Sequence, residues 1–252
     1  MLTQDDIDTV SPATQASWAI GGDTTIVLPA DSAWSPGTSS LLRPTIWVVD
    51  NARLLIAGDT NTEVSLNASI FLCDNAELIV NNTTLRFNQS FFFEHFLWAA
   101  DASAVRYENA DIRTGSASNP LVSLVHFMRG SSTLSGTTIS PATFSIPEGS
   151  LLLEVLDSAV AEIHSSSGII ETRKTANASL TITDTDFVTS GLTVCDAETA
   201  SVENIPAACD FDSECFTGTH PVTNYNPASV SNLSINNSRV FSWHFTTEPN
   251  IT

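Results

Sequence analysis

An all-β solenoid, a chain wound into stacked coils of short strands, is what the 252-residue sequence predicts, and three features predict it. A motif of the form apolar-x-apolar-x-Asn/Asp/Gly-small-x-apolar recurs along the chain. From Asn82 to Asn109 is 27 residues, and from Asn109 to Gly136 is 27 again. Within each copy apolar and polar residues alternate at period two, and Asn, Asp or Gly marks the corners, which argues for strands of three to five residues joined by tight bends. Helical periodicity is almost absent. A unit this short cannot bury its apolar side alone, but units stacked in register form parallel ladders around one shared core.

Residues 1–40, with Trp18, Pro29 and Trp34, read as an N-terminal cap and first strands, because a terminal coil left open presents unpaired backbone groups. Residues 41–252 read as the stacked coils. Short apolar strands such as Ile46 to Val49 and Ile70 to Cys73 run into Asp50-Asn51-Ala52 and Asp74-Asn75-Ala76, and Asp157-Ser158-Ala159 repeats that corner. Copies of the motif are Leu78 to Leu85, Val105 to Ile112, Leu180 to Phe187 and Leu233 to Val240, with a degenerate copy from Ser132 to Ile139. The coils become irregular toward the C-terminus, and residues 206–226, with two prolines and two cysteines, read as a long loop or end cap.

This pattern resembles the right-handed parallel β-helix families of the pectate-lyase-like superfamily. The resemblance covers roughly residues 45–190 well and 191–252 loosely. It implies a single-stranded right-handed parallel β-helix in which equivalent residues stack. Asn82, Asn109, Gly136 and Asp184 then fall in or near one column, with Leu85, Ile112, Ile139 and Phe187 in the core. Many such families are carbohydrate-active, so the resemblance also implies, as the alternative function, a polysaccharide lyase or glycoside hydrolase on this scaffold. The Asp-Asp, Gly-His-Gly and Arg-Ile-Lys pattern of the polygalacturonase type does not occur here.

Charge excludes some partners. With 28 Asp and Glu against 9 Lys and Arg the net charge is −19, which disfavours nucleic acid and anionic membranes. No run of 18 apolar residues occurs, so membrane insertion is not expected. The expected setting is extracellular or cell-surface, with a signal peptide that is not in this chain. Asn-x-Ser/Thr sequons begin at Asn67, Asn81, Asn82, Asn88, Asn177, Asn232, Asn236 and Asn250 and are candidate glycosylation sites. Cys209 and Cys215 are the closest cysteine pair and a candidate disulfide, with Cys195 to Cys209 also open; Cys73 reads as a buried free thiol.

Candidate chemistry is sparse. Asp210, Asp212 and Glu214 stand at alternate positions between Cys209 and Cys215 and are candidate Ca²⁺ ligands, although Cys215 stands where an EF-hand places glycine. No other cofactor is expected. Asp184 and Asp186, two apart on a strand, are candidate carboxylates for glycoside hydrolysis. Lys174, with Glu171, Arg173, His126 and Arg129, is the best cluster for a lyase, which needs a base and a cation. Phe91, Phe92, Phe93, Phe96 and Trp98 are dense enough that alternation leaves some outward to stack on sugars or a neighbouring subunit, with core filling the role of most. The resulting expectation is a structural or adhesive module that is not an enzyme, binding cell-surface glycans or assembling with itself as oligomers or filaments.

Overall fold

The structure is a computed structural model that describes residues 1–9, 17–35, 44–59, 61–116, 119, 122–134, 143–175, 178–183, 186–188, 192–195, 233–236 and 239–241, with only the backbone course given from 186 onward. It is a parallel β-solenoid, and every pairing between its strands is parallel.

Three strands make a coil. The first coil is β1 (Ser17–Ile20), β2 (Thr25–Leu28) and β3 (Ser32–Trp34), and the second is β4 (Thr45–Val48), β5 (Arg53–Ala57) and β6 (Glu63–Leu66). The third is β7 (Ser69–Leu72), β8 (Glu77–Asn81) and β9 (Thr84–Phe87). Next come β10 (Phe96–Ala99), β11 (Ala104–Thr114), β12 (Ser123–Met128), β13 (Thr133–Leu134), β14 (Thr143–Val155), β15 (Val160–His164) and β16 (Ser167–Thr175). The chain continues through β17 (Ser179–Thr183), β18 (Asp186–Val188), β19 (Leu192–Cys195), β20 (Leu233–Asn236) and β21 (Arg239–Phe241). The long strands β11, β14 and β16 each turn a corner without ending, so one strand serves two faces.

Stacking gives three ladders. The first sheet runs β1, β4, β7, β10, β12, β14, β16, β19. The second runs β2, β5, β8, β11, β13, β15, β17, β20. The third runs β3, β6, β9, β11, β14, β16, β18, β21.

Period-two alternation sends every second side chain inward, as in the buried Leu54, Ile56, Leu78 and Val80. Fully burying a Val, Leu or Ile stabilises the fold by roughly 1.5–3 kcal/mol, which supplies what a single coil lacks. Leu85 pairs with Ile112 and both are fully buried, as the repeat predicts. At the neighbouring bend Asn82 and Asn109 adopt left-handed backbone with φ of 49° and 53°, and Asn109 Nδ2 donates to Asn82 Oδ1 at 2.9 Å. Gly136, Ile139, Asp184 and the side chain of Phe187 lie outside the described residues, as does the 206–226 loop.

The N-terminal region is part coil and part cap. Trp18 is fully buried at the head of a core column, so residues 17–34 already form a coil. The cap is the six-residue helix α1 (Gln4–Thr9), which the sequence reading did not anticipate. Thr3 and Asp6 form a capping box: Thr3 N donates to Asp6 Oδ2 at 2.8 Å and Asp6 N to Thr3 Oγ1 at 3.3 Å. Leu2 and Ile7 close over the core. The exposed edge of β2 is closed by one side chain, since Val27 N donates to Gln4 Oε1 at 2.7 Å and Gln4 Nε2 donates to Val27 O at 3.1 Å. A primary amide here replaces the missing strand.

Candidate functional site

The outer face of the first sheet carries the feature with most potential for function. Trp47 lies between the buried Ile46 and Val48 and therefore points out, with 38% of its surface exposed. The register sets Trp47 beside Phe71, Phe71 beside Trp98, and Trp98 beside Phe127. Four successive coils thus each add one ring to an outward column. Trp47 and Phe71 stack at 4.2 Å between centroids with 11° between planes, and Trp98 lies 5.1 Å from Phe127. Phe96 fills the adjacent column, edge-on to Phe71 at 5.2 Å and to Phe127 at 6.2 Å.

One margin of this strip is a pinned loop, residues 88–95. Gln89 Nε2 donates to Ser123 O at 2.9 Å, Phe93 N donates to the same carbonyl at 2.9 Å, and Ser90 N donates to Glu94 Oε2 at 2.5 Å. Phe93 takes a left-handed φ of 57° within it, an unusual conformation for a large residue. The loop holds Phe91 and Phe92 out to solvent, 50% and 60% exposed. The expectation that most of Phe91, Phe92, Phe93, Phe96 and Trp98 fill the core is therefore corrected. Two are exposed and three half-buried, because the inward positions of β10 belong to Leu97 and Ala99.

The other margin is acidic. Asp50, Asp74, Asp101 and Asp157 occupy the same corner of successive coils with φ between 55° and 60°, Asp101 at 55° and Asp50 at 60°, and Gly130 takes the remaining place at 61°. Each of three aspartates accepts a backbone N–H from the coil before: Gly22 to Asp50 at 2.7 Å, Asp50 to Asp74 at 3.1 Å, and Asp74 to Asp101 at 3.2 Å, all on Oδ2. Asp157 Oδ2 accepts from Gly130 N at 3.0 Å. The sequence signal is aromatic-x-x-Asp, present at Trp47 to Asp50, Phe71 to Asp74 and Trp98 to Asp101. Arg129 joins the aromatic strip to the acidic margin. Its guanidinium carbon lies 5.4 Å from the centroid of Trp98, and its Nε lies 3.2 Å from Asp157 Oδ2.

Of the lyase candidates, His126 and Arg129 lie on opposite sides of the solenoid wall. His126 points into the core, fully buried in one column with Leu97 and Leu153, whereas Arg129 stands outside. The backbone of Lys174 pairs with Val155 and Val194, and that of Asp186 with Ser167 and Arg239. The side chains of Glu171, Arg173, Lys174 and Asp186, and all of Asp184, lie outside the described residues. The described arginine side chains are engaged by carboxylates of other coils. Glu77 bridges Arg53 at 2.7 Å and Arg106 at 2.9 Å, while Glu148 bridges Arg86 at 3.2 Å and Arg113 at 3.4 Å. Glu63 closes on Arg86 at 2.8 Å, and that hydrogen bond is the main reason the Arg86 pKa is raised.

Asp210, Asp212, Glu214, Cys209 and Cys215 lie outside the described residues, as do Asn177, Asn232, Asn250 and the side chain of Asn236. Cys73 is a free thiol but only half-buried, at the exit of β7; burial, then the charges of Asp101 and Asp74, push its pKa up. The remaining sequons differ. Asn67 Nδ2 donates to Ser35 Oγ at 3.1 Å and its Oδ1 meets His95 Nε2 at 2.7 Å. Asn81 Nδ2 donates to Glu108 Oε2 at 2.5 Å, Asn82 Nδ2 donates to Asn81 Oδ1 at 2.6 Å, and Asn88 is exposed at the end of β9.

Comparisons of the chain with protein-family models, with curated proteins and with solved structures find no match.

Proposed function

We propose that this protein is an extracellular or cell-surface adhesive module that binds through the outer face of its first sheet and does not catalyse a reaction. The observation that carries this reading is the outward column Trp47, Phe71, Trp98, Phe127, bordered by the exposed pair Phe91 and Phe92. Solvent-facing rings in a continuous strip lose water on contact with an apolar or sugar face, and a strip with one ring in each of four successive coils suits an extended partner. The described cations are held in ion pairs between coils, where they stabilise the stack and are poorly placed to neutralise a uronate.

The test is a paired screen. Purified protein is incubated with neutral and acidic polysaccharides and with surfaces displaying cell-surface glycans, with Ca²⁺ or with chelator, while new reducing ends and unsaturated uronates are assayed. The sedimentation of the protein alone is followed over a concentration series. Retention or self-association that is lost in Phe91→Ser/Phe92→Ser, without turnover, supports the adhesive reading. Reproducible turnover abolished by Asp184→Ala, Asp186→Ala or Lys174→Ala replaces it with a carbohydrate-active enzyme.

A further inference from the structure

Arg129 shows what the outer face of the first sheet accepts. Its guanidinium lies over the ring of Trp98, which belongs to the coil before, and pairs with Asp157, which belongs to the coil after. The position of Arg129 recurs along the stack. Arg129 N donates to Ala99 O, Ala100 N to Leu72 O and Cys73 N to Val48 O, so Arg129, Ala100 and Cys73 stand in one column. At Ala100 the flanking residues are Phe71 before and Gly130 after, a ring without a carboxylate. At Cys73 they are Trp47 before and Asp101 after, a ring and a carboxylate again, with a short thiol where the guanidinium would be.

From this we infer that the row of Trp47, Cys73 and Asp101 receives an arginine side chain from a basic segment of a partner protein. The inference rests on the adhesive reading and names the partner class. Trp47 is 38% exposed, and the stacked Phe71 at 4.2 Å covers one face of its ring and fixes its plane. Asp74 and Asp101 are exposed at the same corner. Their charges act at this row, since both raise the pKa of the Cys73 thiol beyond what burial alone does. A net charge of −19 steers basic segments toward the protein and turns away acidic ones, a second copy of this chain included. Arginine fits better than lysine, because a planar guanidinium stacks on an indole while it hydrogen-bonds a carboxylate in its own plane.

The experiment titrates the whole protein into fluorescently labelled hexa-arginine and hexa-lysine peptides, with a labelled neutral oligosaccharide in parallel. Hexa-arginine should bind at least about threefold more tightly than hexa-lysine, and Trp47→Leu and Asp101→Asn should each weaken it about fivefold. Asp101→Asn keeps an oxygen to accept the Asp74 N–H, so it remains informative if Trp47→Leu fails to fold by circular dichroism. Cys73→Arg supplies the missing guanidinium from within and should block the peptide. Asn61→Arg, which adds the same charge at an exposed turn between the second and third sheets, should weaken binding far less. Equal binding of the two peptides, unaffected by Trp47→Leu and Asp101→Asn, would overturn the inference and leave only diffuse attraction. Binding of the oligosaccharide but not of hexa-arginine, lost in Trp47→Leu, would also overturn it while sparing the adhesive reading. Failure of every ligand to engage the first sheet sinks both.

Discussion

His126 Nε2 shares a hydrogen bond of 2.5 Å with the Tyr107 hydroxyl inside the solenoid, where neither side chain reaches solvent. Burial holds His126 in its neutral form at pH 7. Burial pushes its pKa down from 6.5 to about 4. The folded value lies below the unfolded one, so the unfolded chain takes up the proton first as pH falls. Stability from this group is complete above about pH 6.5 and is lost toward about pH 4, by about 3 kcal/mol in total. Urea midpoints at about pH 7.5 and about pH 4.5 measure the loss. The variant Tyr107→Phe/His126→Leu should lose distinctly less over that interval, and an identical loss would assign the acid sensitivity to carboxylates.

Gln4→Ala removes both hydrogen bonds to Val27 and reopens the edge of β2. The expected cost is about 1–2 kcal/mol, with a rise in concentration-dependent association through the freed edge. Chemical denaturation reads the first effect and sedimentation velocity the second. An unchanged sedimentation profile would mean that α1 alone shields this end.

Gly130 and Asp74 occupy equivalent corners but should respond oppositely to change. A Cβ at Gly130 would sit 2.9 Å from Asp101 N, on a backbone with φ of 61°. Gly130→Ala is expected to cost about 2 kcal/mol or more. Asp74→Asn should stay within about 0.5 kcal/mol, because asparagine tolerates left-handed backbone and its amide oxygen still accepts the Asp50 N–H. Paired urea melts compare them directly.

Phe91→Ser/Phe92→Ser should leave the denaturation midpoint within about 0.5 kcal/mol of the parent, since the two side chains are largely exposed and Gln89, Glu94 and the Phe93 backbone hydrogen-bond the loop in place. Adhesion measured on the same samples should fall. A large loss of stability would instead assign the pair to packing.

Production in a secretory eukaryotic host should place a glycan on Asn88, detectable as a mass step removed by Asn88→Gln. Occupancy at Asn67, Asn81 and Asn82 should be lower, because their amides are joined to Ser35, Glu108 and each other in hydrogen bonds that tie coils and corners together. Glycopeptide mapping gives the comparison, and full occupancy at Asn81 would contradict it.

The coil was legible because its signals are local and repeat. Asn82 and Asn109 mark one bend, and Leu85 and Ile112 mark one core column, so spacing alone puts each pair together. The functional face was harder to read. In Ile46-Trp47-Val48-Val49 and Phe96-Leu97-Trp98-Ala99 every residue is apolar, so alternation shows that two faces exist without showing which one meets water. The aromatic-x-x-Asp recurrence was present in the sequence, but its meaning depends on rings of different coils lining up, which is a property of register. His126 was misplaced for a related reason: a histidine on a strand looks reactive until its neighbours in the column, Leu97 and Leu153, are known. Helix α1, at six residues, is too short for a 3.6-residue period to announce it, and the use of the Gln4 amide as a substitute strand has no one-dimensional signature.

That substitute strand bears on how such a chain can change length. Because Gln4 and α1 finish the first coil independently of the later coils, the number of coils is not fixed by its N-terminal boundary. The stretch from Thr83 to Asn109 spans 27 positions, begins just past one bend and ends on the equivalent bend of the next coil. Duplicating it in tandem would return the chain to the same corner one ladder spacing, about 4.8 Å, further along, with the N-terminal closure untouched. Insertions of one whole turn are therefore near-neutral, while insertions of a few residues shift every later column, and the genetic unit of growth for this architecture is the coil.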